Sequence, residues 1–399
     1  MKKKVLASLL CVAMAATMVV GCGSKEADTP TDTPAEGEGE ETPEEPAEGE
    51  EPAEGEDEEP AEGETAGGDY HFEIIVKSYQ SSYWQAAVKG VEQAADELGV
   101  TVECTGPNNE SDIADQVQML NSAINKDGVN GIGLAACDQS ACLDALQTAM
   151  DKGIPVVCFD SGIPDAPEGS VLSTVATDNY GAGATAAENL YAGLKDKIAA
   201  ATAPVRIGEV NQEATSESII NRGLGFIDKF AELAKADGKT VAVIGNEKYV
   251  NDAKAETVAE AEADIIIEVR VPAQTTVELC STEASTIMGQ ADTIGMFGSN
   301  QVAAEGILTA NEMLNVLGSD PETSILAAGF DAGKVIKGAI TGGTMYGAVT
   351  QSPLAMGITT VQTLYAIANG EAVEDVPTEG YWYNAENMED DSIAPNLYD

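Results

Sequence analysis

The chain has 399 residues, 43% of them hydrophobic, and its formal net charge is −48 at pH 7. A surface this acidic repels nucleic acid and anionic lipid, so the composition argues against a protein that binds either one. The one histidine, His71, and the irregular spacing of the seven cysteines argue against a Cys/His zinc site and a Ser-His-Asp triad, and no cofactor or metal is expected.

The first residues predict export from the cytoplasm. Residues 1–4 are basic and the apolar run 5–20 is short for a membrane span, so residues 1–21 are interpreted as a signal peptide. The run ends in Val-Val-Gly-Cys, which resembles the lipobox of bacterial lipoproteins. This resemblance implies that Cys22 becomes the lipidated first residue and anchors the protein to the outer face of the plasma membrane. An ordinary secretory signal followed by a chance cysteine is the alternative.

Residues 22–69 are expected to form a disordered linker. Pro-Ala-Glu-Gly recurs here with acidic variations, and residues 23–69 carry twenty acidic side chains, one basic side chain and no aromatic side chain. Such a segment cannot bury enough apolar surface to offset the entropy of the chain. Repulsion between its carboxylates should extend it into a stalk between the anchor and the folded part.

From residue 70 onward, short apolar runs alternate with stretches of helical periodicity. Strands are predicted at 72–77, 100–105, 131–136, 155–159, 205–210, 240–245, 265–271, 293–297, 325–329 and 346–350, and helices at 83–98, 112–126, 140–152, 180–197 and 353–368. The β-α order predicts an α/β fold with parallel sheets that helices cover on both faces. About 330 residues are enough for two lobes. Residues 247–263 look like a partly helical insertion in the second lobe.

Five cysteines follow the linker, namely Cys104, Cys137, Cys142, Cys158 and Cys280. Cys104 and Cys158 lie in predicted strands and are interpreted as small buried hydrophobic residues. An odd number of exported thiols argues against a framework of disulfides.

Two matching strand ends organise this pattern. Residues 154–162 and 325–333 are both apolar runs that end in Phe-Asp-x-Gly, with Asp160 and Asp331 at the carboxyl ends of the predicted strands. Ligands bind at that edge in open α/β sheets. The plain alternative is that each aspartate only caps a helix or forms a turn. Because the motif occurs twice, it favours two similar half-molecules that each offer a carboxylate to one ligand.

The chain resembles the ribose-binding branch of the bacterial periplasmic binding proteins, the type I sugar receptors of ABC importers, over about residues 70 to 385. The matching positions are Tyr83 and Trp84 after the first strand, Asp160 and Asp331, Arg222 in Asn-Arg-Gly-x-Gly-Phe, Asn300 after a strand, and Gln351 in Thr-Gln-Ser-Pro. The resemblance implies that these residues contact the ligand and that the two aromatics sandwich a sugar ring. The alternatives are core packing for Trp84, a surface position for Arg222 and a hinge role for Gln351.

The resemblance also implies two Rossmann-like lobes joined by three hinge crossovers. The N-terminal lobe would comprise residues 70–177 and 352–381 and the C-terminal lobe residues 178–351 and 382–399, with crossovers near 176–178, 351–352 and 381–382. A monosaccharide would bind between the lobes, which close by hinge motion. The closed, monomeric protein would then dock on the permease subunits of an ABC transporter without catalysing a reaction.

The predicted contacts suit a sugar, because carboxylates accept hydrogen bonds from hydroxyl groups, a guanidinium donates to them and amides do both. Three departures from the family pattern are also expected at the site. They are Lys77 in place of a small polar residue, Ser161 in place of a second arginine, and Gln274 or a neighbour in place of a third aromatic. The pentose or hexose therefore need not be ribose.

Two other functions stay open at this point. A branch of the family that binds autoinducer-2 also has a lysine near position 77, so a receptor for that signal or for a chemotaxis ligand is one alternative. An exported enzyme that uses Asp160 and Asp331 as acid and base on a sugar is the other.

The lipobox resemblance makes a direct prediction for Cys22. The substitution Cys22→Ala removes the thiol that would carry lipid, so the precursor should lose acyl label and be shed or mislocalised. Metabolic labelling with a fatty acid and membrane fractionation measure both effects. Unchanged membrane association of the variant with no loss of label would contradict the interpretation.

Overall fold

The computed structural model describes residues 69–399, which build two sheets, each covered by helices on both faces. The predicted α/β class is confirmed. The signal peptide, Cys22 and the acidic linker lie outside the described residues.

The first half of the molecule is built on a six-stranded parallel sheet. Its strands are β1 (His71–Ile75), β2 (Thr101–Thr105), β3 (Gly131–Leu134), β4 (Val156–Phe159), β5 (Ser173–Thr177) and β12 (Val376–Thr378), in the order β12-β5-β4-β3-β1-β2. Its helices are α1 (Ser82–Leu98), α2 (Ile113–Asn125), α3 (Leu143–Asp151) and α10 (Pro353–Ala368).

The second half is built on a seven-stranded sheet. Its strands are β6 (Val205–Val210), β7 (Val241–Gly245), β8 (Ile265–Arg270), β9 (Thr293–Gly298), β10 (Leu326–Phe330), β11 (Gly347–Thr350) and β13 (Tyr381–Tyr383), in the order β13-β11-β10-β9-β6-β8-β7. Only β13 runs antiparallel to its neighbour in this sheet. The helices are α4 (Asn179–Ala200), α5 (Glu217–Ala236), α6 (Glu247–Asp252), α7 (Val277–Met288), α8 (Gln301–Leu314) and α9 (Lys334–Thr341).

The strands are short apolar runs because both of their faces are buried. In β4, Val157 and Phe159 pack with α1 and α10, whereas Val156 and Cys158 pack with α2 and α3 on the opposite face. Successive side chains of a strand point to opposite faces, so a strand covered on both sides is mostly apolar. This is why the periodicity of the sequence located most of the strands.

Glycines let one helix pair in each half approach closely. A Cβ atom at Gly357 of α10 would lie 2.1 Å from the carbonyl oxygen of Ala87 in α1. A Cβ atom at Gly183 of α4 would likewise lie 2.0 Å from the carbonyl oxygen of Arg222 in α5. No side chain fits at either point, and the same device in both halves agrees with two similar half-molecules.

The chain passes between the two sheets three times. The passages are at residue 178 between β5 and α4, at 351–352 between β11 and α10, and at 379–380 between β12 and β13. The third passage comes before the predicted position at 381–382, because Tyr381 already pairs with Thr350 in β13. The strands β5 and β12 were not predicted. In β5 half-buried residues alternate with buried ones, and β12 is a three-residue edge strand that contains a proline.

The predicted insertion at 247–263 contains α6 and a 3₁₀ turn at Glu260–Glu262. Tyr249 of α6 is fully buried, and its hydroxyl lies 3.3 Å from the carbonyl oxygen of Glu213 and 3.4 Å from that of Ile219. The insertion therefore supports the start of α5.

The five cysteines after the linker are all free thiols; four are buried and Cys104 is partly buried. Within residues 69–399, none of the helices combines the length and hydrophobicity that crossing a bilayer requires.

The close approach of α1 and α10 predicts the cost of an added methyl group. Gly357→Ala should lower the free energy of unfolding by about 1–3 kcal/mol, because the helices must separate. Gly338→Ala is the matched control, since Gly338 lies in a helix with no atom within 4 Å of its Cβ position. The control should be neutral or stabilising by up to about 1 kcal/mol. Urea unfolding measures both, and equal stability of the two variants would contradict the packing described.

Candidate ligand-binding site

The two aspartates of the matching strand ends line one cavity. Asp160 follows β4 in the first half and Asp331 follows β10 in the second half. They are buried, with 5% and 4% of their surface exposed. Both have a left-handed backbone, with φ of 62° and 72°, which costs a non-glycine residue on the order of 1–3 kcal/mol. Buried, strained carboxylates at this edge of a sheet are typical of a ligand site.

The Asp160 carboxylate is held by a cation and a phenol. Lys77 Nζ lies 3.0 Å from its Oδ2, and the Tyr83 hydroxyl donates to its Oδ1 at 2.5 Å. The same ammonium donates to the Ser218 hydroxyl of α5 at 3.0 Å, so Lys77 joins the two halves. Ser161, a predicted contact, lies behind the cavity, where its hydroxyl accepts the Ser218 backbone N–H at 3.1 Å.

Lys77 is a fixed positive charge in this cavity. It is 1% exposed, and burial alone would lower the pKa of its ammonium. The carboxylates of Asp160, Glu110 and Glu213 outweigh burial and raise the pKa of Lys77 above its usual value. The lysine therefore stays charged at neutral pH, and a ligand that enters the cavity meets an ammonium.

The Asp331 carboxylate accepts two hydrogen bonds. Its Oδ1 accepts from the Gln351 amide at 2.7 Å, and its Oδ2 accepts from the Gln301 backbone N–H at 3.0 Å. Arg222 Nη1 lies 3.9 Å from Oδ2. Burial raises the pKa of Asp331, because it outweighs the lowering by Arg222 and Gln351. The bond to Gln301 caps the first turn of α8, so Asp331 both caps a helix and faces the cavity.

Arg222 reaches the cavity from α5 and is 2% exposed, so the alternative of a surface arginine is wrong. Its Nε and Nη2 donate to Asn179 Oδ1 at 3.2 and 2.8 Å, and its Nη1 donates to the Ser299 carbonyl at 2.8 Å. The guanidinium also stacks 3.6 Å from the centre of the Phe330 ring. Bonds to described residues use three of its five N–H donors, which leaves two for Asp331 or a ligand.

A chain of amides crosses the cavity between the halves. Asn300 donates to Gln212 Oε1, and Gln212 Nε2 donates to Glu110 Oε2 at 2.7 Å. Trp84 Nε1 donates to the other oxygen of Glu110 at 2.9 Å. Burial raises the pKa of Glu110, although Lys77 and Trp84 act in the opposite direction. Gln212 and Glu110 were not predicted. Gln212 lies just after β6, where the strand-end rule would have found it, whereas Glu110 lies in the loop between β2 and α2, away from the strand end.

Tyr83 and Trp84 line the cavity but do not form the expected sandwich. Their ring centres lie 4.9 Å apart at an angle of 87°, which leaves no gap for a sugar ring between them. Consecutive positions on a helix point about 100° apart, so neighbours at the start of α1 cannot present parallel faces. Trp84 also packs edge-on against Phe159, 6.1 Å away in the core of the first half. It thus belongs to both the core and the cavity wall.

Gln351 and Gln274 differ in where the structure places them. Gln351 Oε1 accepts from the Thr177 hydroxyl at 2.8 Å, so this residue joins both halves beside a chain passage and also faces the cavity. Gln274 is exposed and does not line the cavity. Its neighbour Thr275 is buried instead and bonds to Ser111 of the first half. The loop after β8 therefore contributes a contact between the halves rather than a third ring.

The cavity is small and mostly polar. Its lining includes eight predicted residues, Lys77, Tyr83, Trp84, Asp160, Arg222, Asn300, Asp331 and Gln351, and seven others, Ser81, Glu110, Gln212, Ser218, Ile219, Gln301 and Val302. Its volume is about 20 Å³, which is room for about one water molecule. A sugar ring can enter only if the halves move apart and the polar groups exchange their bonds with one another for bonds to the ligand.

One group of side chains outside this cavity has the composition of a metal site. His71, Glu73 and Glu103 bring their ligand atoms within 4.8 Å of one another. The ammonium of Lys126 lies 2.6 Å from both carboxylates and already supplies a cation there.

A second buried carboxyl group lies behind the cavity wall, in β6. Asn211 Nδ2 donates to Glu209 Oε1 at 2.6 Å, whereas among the described residues Glu209 Oε2 and Asn211 Oδ1 have no hydrogen-bond partner. Burial raises the pKa of Glu209 well above its usual value, Asp228 adds to the effect, and the bond from Asn211 opposes it. These conditions favour the protonated form of Glu209.

Comparison with known proteins identifies a family and several similar proteins. A family model described as "Periplasmic binding protein domain" matches residues 72–372. The ribose import binding protein RbsB of Bacillus subtilis (strain 168) is 24% identical over 311 residues, which are 77% of this chain and 84% of that protein.

Solved structures share the two-sheet architecture. A protein described as an ABC transporter, LacI family transcriptional regulator from Brachyspira murdochii superposes with a TM-score of 0.68 at 30% identity, over 83% of this chain and 99% of that chain. An ABC transporter solute binding protein from Agrobacterium vitis with bound D-fucose superposes with a TM-score of 0.68 at 26% identity, over 82% of this chain and 100% of that chain.

The environment of Glu209 predicts a pH-dependent stability. Between the unfolded pKa of about 4.3 and the higher folded pKa, the folded state holds a proton that the unfolded state releases. Stability therefore falls as pH rises through this window, by up to about 1.4 kcal/mol per pH unit. Glu209→Gln removes this loss, so urea unfolding should show a gain over wild type that is larger at pH 8 than at pH 5.

Glu268→Gln is the matched control in the same sheet. Glu268 is 5% exposed and accepts from Arg206 at 2.7 Å and from Arg270 Nε at 2.7 Å, so its neutralisation should lower stability across the same pH range. A Glu209→Gln variant that loses stability equally at every pH would show that Glu209 is held as an anion.

Proposed function

The chain belongs to the family of periplasmic binding protein domains, and from this premise we propose that it is the extracytoplasmic substrate-binding protein of an ABC transporter. In this proposal it captures a monosaccharide of the pentose or hexose class between its two halves and delivers it unchanged to the permease subunits. Similarity to a ribose import binding protein and to a solute binding protein with bound D-fucose supports it.

The observation that carries the proposal is the convergence of charged groups from both halves on one cavity. Lys77 and Asp160 come from the first half, and Arg222 and Asp331 come from the second half. Carboxylates accept from hydroxyl groups, and the ammonium and guanidinium donate to them. Glu110 adds a third carboxyl group, and burial raises its pKa, so the lining has no excess of cations and suits a neutral ligand with many hydroxyl groups.

We propose as ligand contacts the eight predicted residues that line the cavity, together with Glu110 and Gln212. Ser161 would affect the ligand indirectly, because its hydroxyl positions Ser218, which bonds to Lys77. Gln274 is not included. Tyr83 and Trp84 would offer edges and one face to a sugar ring rather than two parallel faces.

The halves act as the two lobes of a hinged receptor in this proposal. They correspond to residues 70–177 with 352–381 and residues 178–351 with 382–399, except that the third boundary moves to the passage at 379–380. The small volume of the cavity supports hinge motion, because a ring can enter only when the lobes separate.

The anchor completes the proposal. A lipid on Cys22 and the acidic stalk would hold a monomeric receptor close to the permease on the outer face of the plasma membrane. The lobes would then move freely at the end of an extended linker.

One observation favours a second candidate ligand. Lys77 places a buried ammonium beside Asp160, where it could bond to the oxygens of autoinducer-2. A signal receptor would use the same fold with a different membrane partner. An enzyme that uses Asp160 and Asp331 is less well supported, because both carboxylates are engaged by fixed donors of the protein.

Asp331 provides the test of this function. Titration calorimetry against pentoses, hexoses and autoinducer-2 should identify a ligand that is recovered unchanged. Asp331→Asn should then lower its affinity about ten- to a hundredfold, since a charged hydrogen-bond partner is worth about 1.5–3 kcal/mol. Asp196→Asn is the matched control, because Asp196 is an exposed aspartate of the same half.

Three results would count against the proposal. They are the absence of heat with every sugar, conversion of the sugar to a product, and wild-type affinity in the Asp331→Asn variant.

A further inference from the structure

A second and larger cavity opens beside the candidate site. Its volume is about 460 Å³, against about 20 Å³ for the first. The first half contributes the loops around residues 78–82 and 108–110, and the second half contributes residues 275–277 and 301–305. We call these spaces the outer and inner cavities. The volume of the outer cavity lies within the range of roughly 300–1,000 Å³ that is usual for small-molecule sites.

The outer cavity adjoins the inner one. Ser81, Glu110, Gln301 and Val302 line both. Glu110 marks the boundary, because its carboxylate accepts from Trp84 and Gln212 on the inner side. The two cavities are therefore neighbours, and a ligand that extends from the inner one into the outer one would pass these shared side chains.

The outer cavity persists while the two halves are in contact. The Thr275 backbone N–H donates to the Ser111 hydroxyl at 2.8 Å, and Asn109 Nδ2 donates to the Thr275 carbonyl at 2.7 Å. Gln301 Nε2 donates to the Ser82 hydroxyl at 3.1 Å. These three bonds join the halves at the walls of the cavity. Its volume is therefore not the gap of a widely opened cleft.

The lining of the outer cavity has the chemistry of a saccharide site. It offers serine and threonine hydroxyls and the amides of asparagine and glutamine, with Val277 and Val302 as small apolar surfaces. Its charged side chains are Glu110 and Glu305, and its described lining includes no lysine or arginine. Carboxylates accept from hydroxyl groups but repel phosphate and carboxylate, so this lining selects a neutral ring.

We propose that the outer cavity is a second saccharide subsite and that the ligand is a disaccharide or a glycoside of similar size. One ring binds between Asp160 and Asp331 in the inner cavity, and the ring linked to it lies in the outer cavity. This inference rests on the proposed transport function and extends its ligand from one sugar ring to two.

The test compares the binding of one-ring and two-ring ligands by titration calorimetry. The one-ring probes are D-xylose, L-arabinose, D-glucose and D-galactose, and their two-ring counterparts are xylobiose, arabinobiose, cellobiose, lactose and melibiose. D-ribose and D-allose are compared with their phenyl glycosides. Wild-type protein should bind at least one two-ring probe tenfold or more tightly than its one-ring counterpart.

Val277→Trp then fills the outer cavity. Val277 lines this cavity and does not line the inner one. The variant should lose tenfold or more in affinity for the two-ring probe and keep its affinity for the one-ring probe within about twofold. Val335→Trp is the matched control at an exposed valine, and it should change neither affinity. If Val277→Trp misfolds, Asn108→Trp fills the same cavity from an exposed position of the first half.

The outcomes separate the two proposals. Two results would overturn the second subsite and leave the proposed function intact. One is tighter binding of the one-ring probes than of every two-ring probe. The other is an equal loss of affinity for one-ring and two-ring probes in the Val277→Trp variant. Failure of the wild-type protein to bind any probe of either size would overturn the proposed function as well.

Discussion

Two buried carboxylates at matching strand ends need stabilising partners, and the rest of the structure supplies them. Asp160 and Asp331 lie in left-handed backbone and out of water, so each needs partners that offset its strain and its lost hydration. Lys77 supplies the partner for one and Arg222 lies near the other. The aspartates and Lys77 follow strand ends and Arg222 lies on α5, so the two-sheet architecture brings four charged groups into one cavity.

The pairing of these groups with one another limits how a ligand can gain affinity. A hydroxyl group that enters the inner cavity exchanges an existing hydrogen bond for a new one, and each exchange is worth only about 0.5–1.5 kcal/mol. Affinity then depends on how many groups exchange together and on how well the ring fits. Additional surface in the outer cavity would increase the number of contacts that a larger ligand can make.

Much of the fold could be predicted because strands buried on both faces leave a simple apolar pattern. The repeated Phe-Asp-x-Gly located Asp160 and Asp331 at strand ends, and eight of the ten predicted contacts line the inner cavity; their contact with a ligand stays a prediction. The differences between the expected and the observed positions have separate physical causes. Gln274 is exposed because its loop buries Thr275 instead, and Tyr83 with Trp84 cannot form a sandwich from consecutive helical positions. The strand β5 escaped prediction because two of its five residues are only partly buried, so it lacks a continuous apolar run.

The central claim is that the two halves share one ligand through these aspartates. A crystal structure of the protein with the tightest-binding saccharide tests it most directly. The account predicts that a carboxylate oxygen of Asp160 and one of Asp331 both lie within about 3.2 Å of hydroxyl groups of the same bound molecule. A saccharide that contacts only one half, or that lies outside the cavity lined by both aspartates, would contradict it.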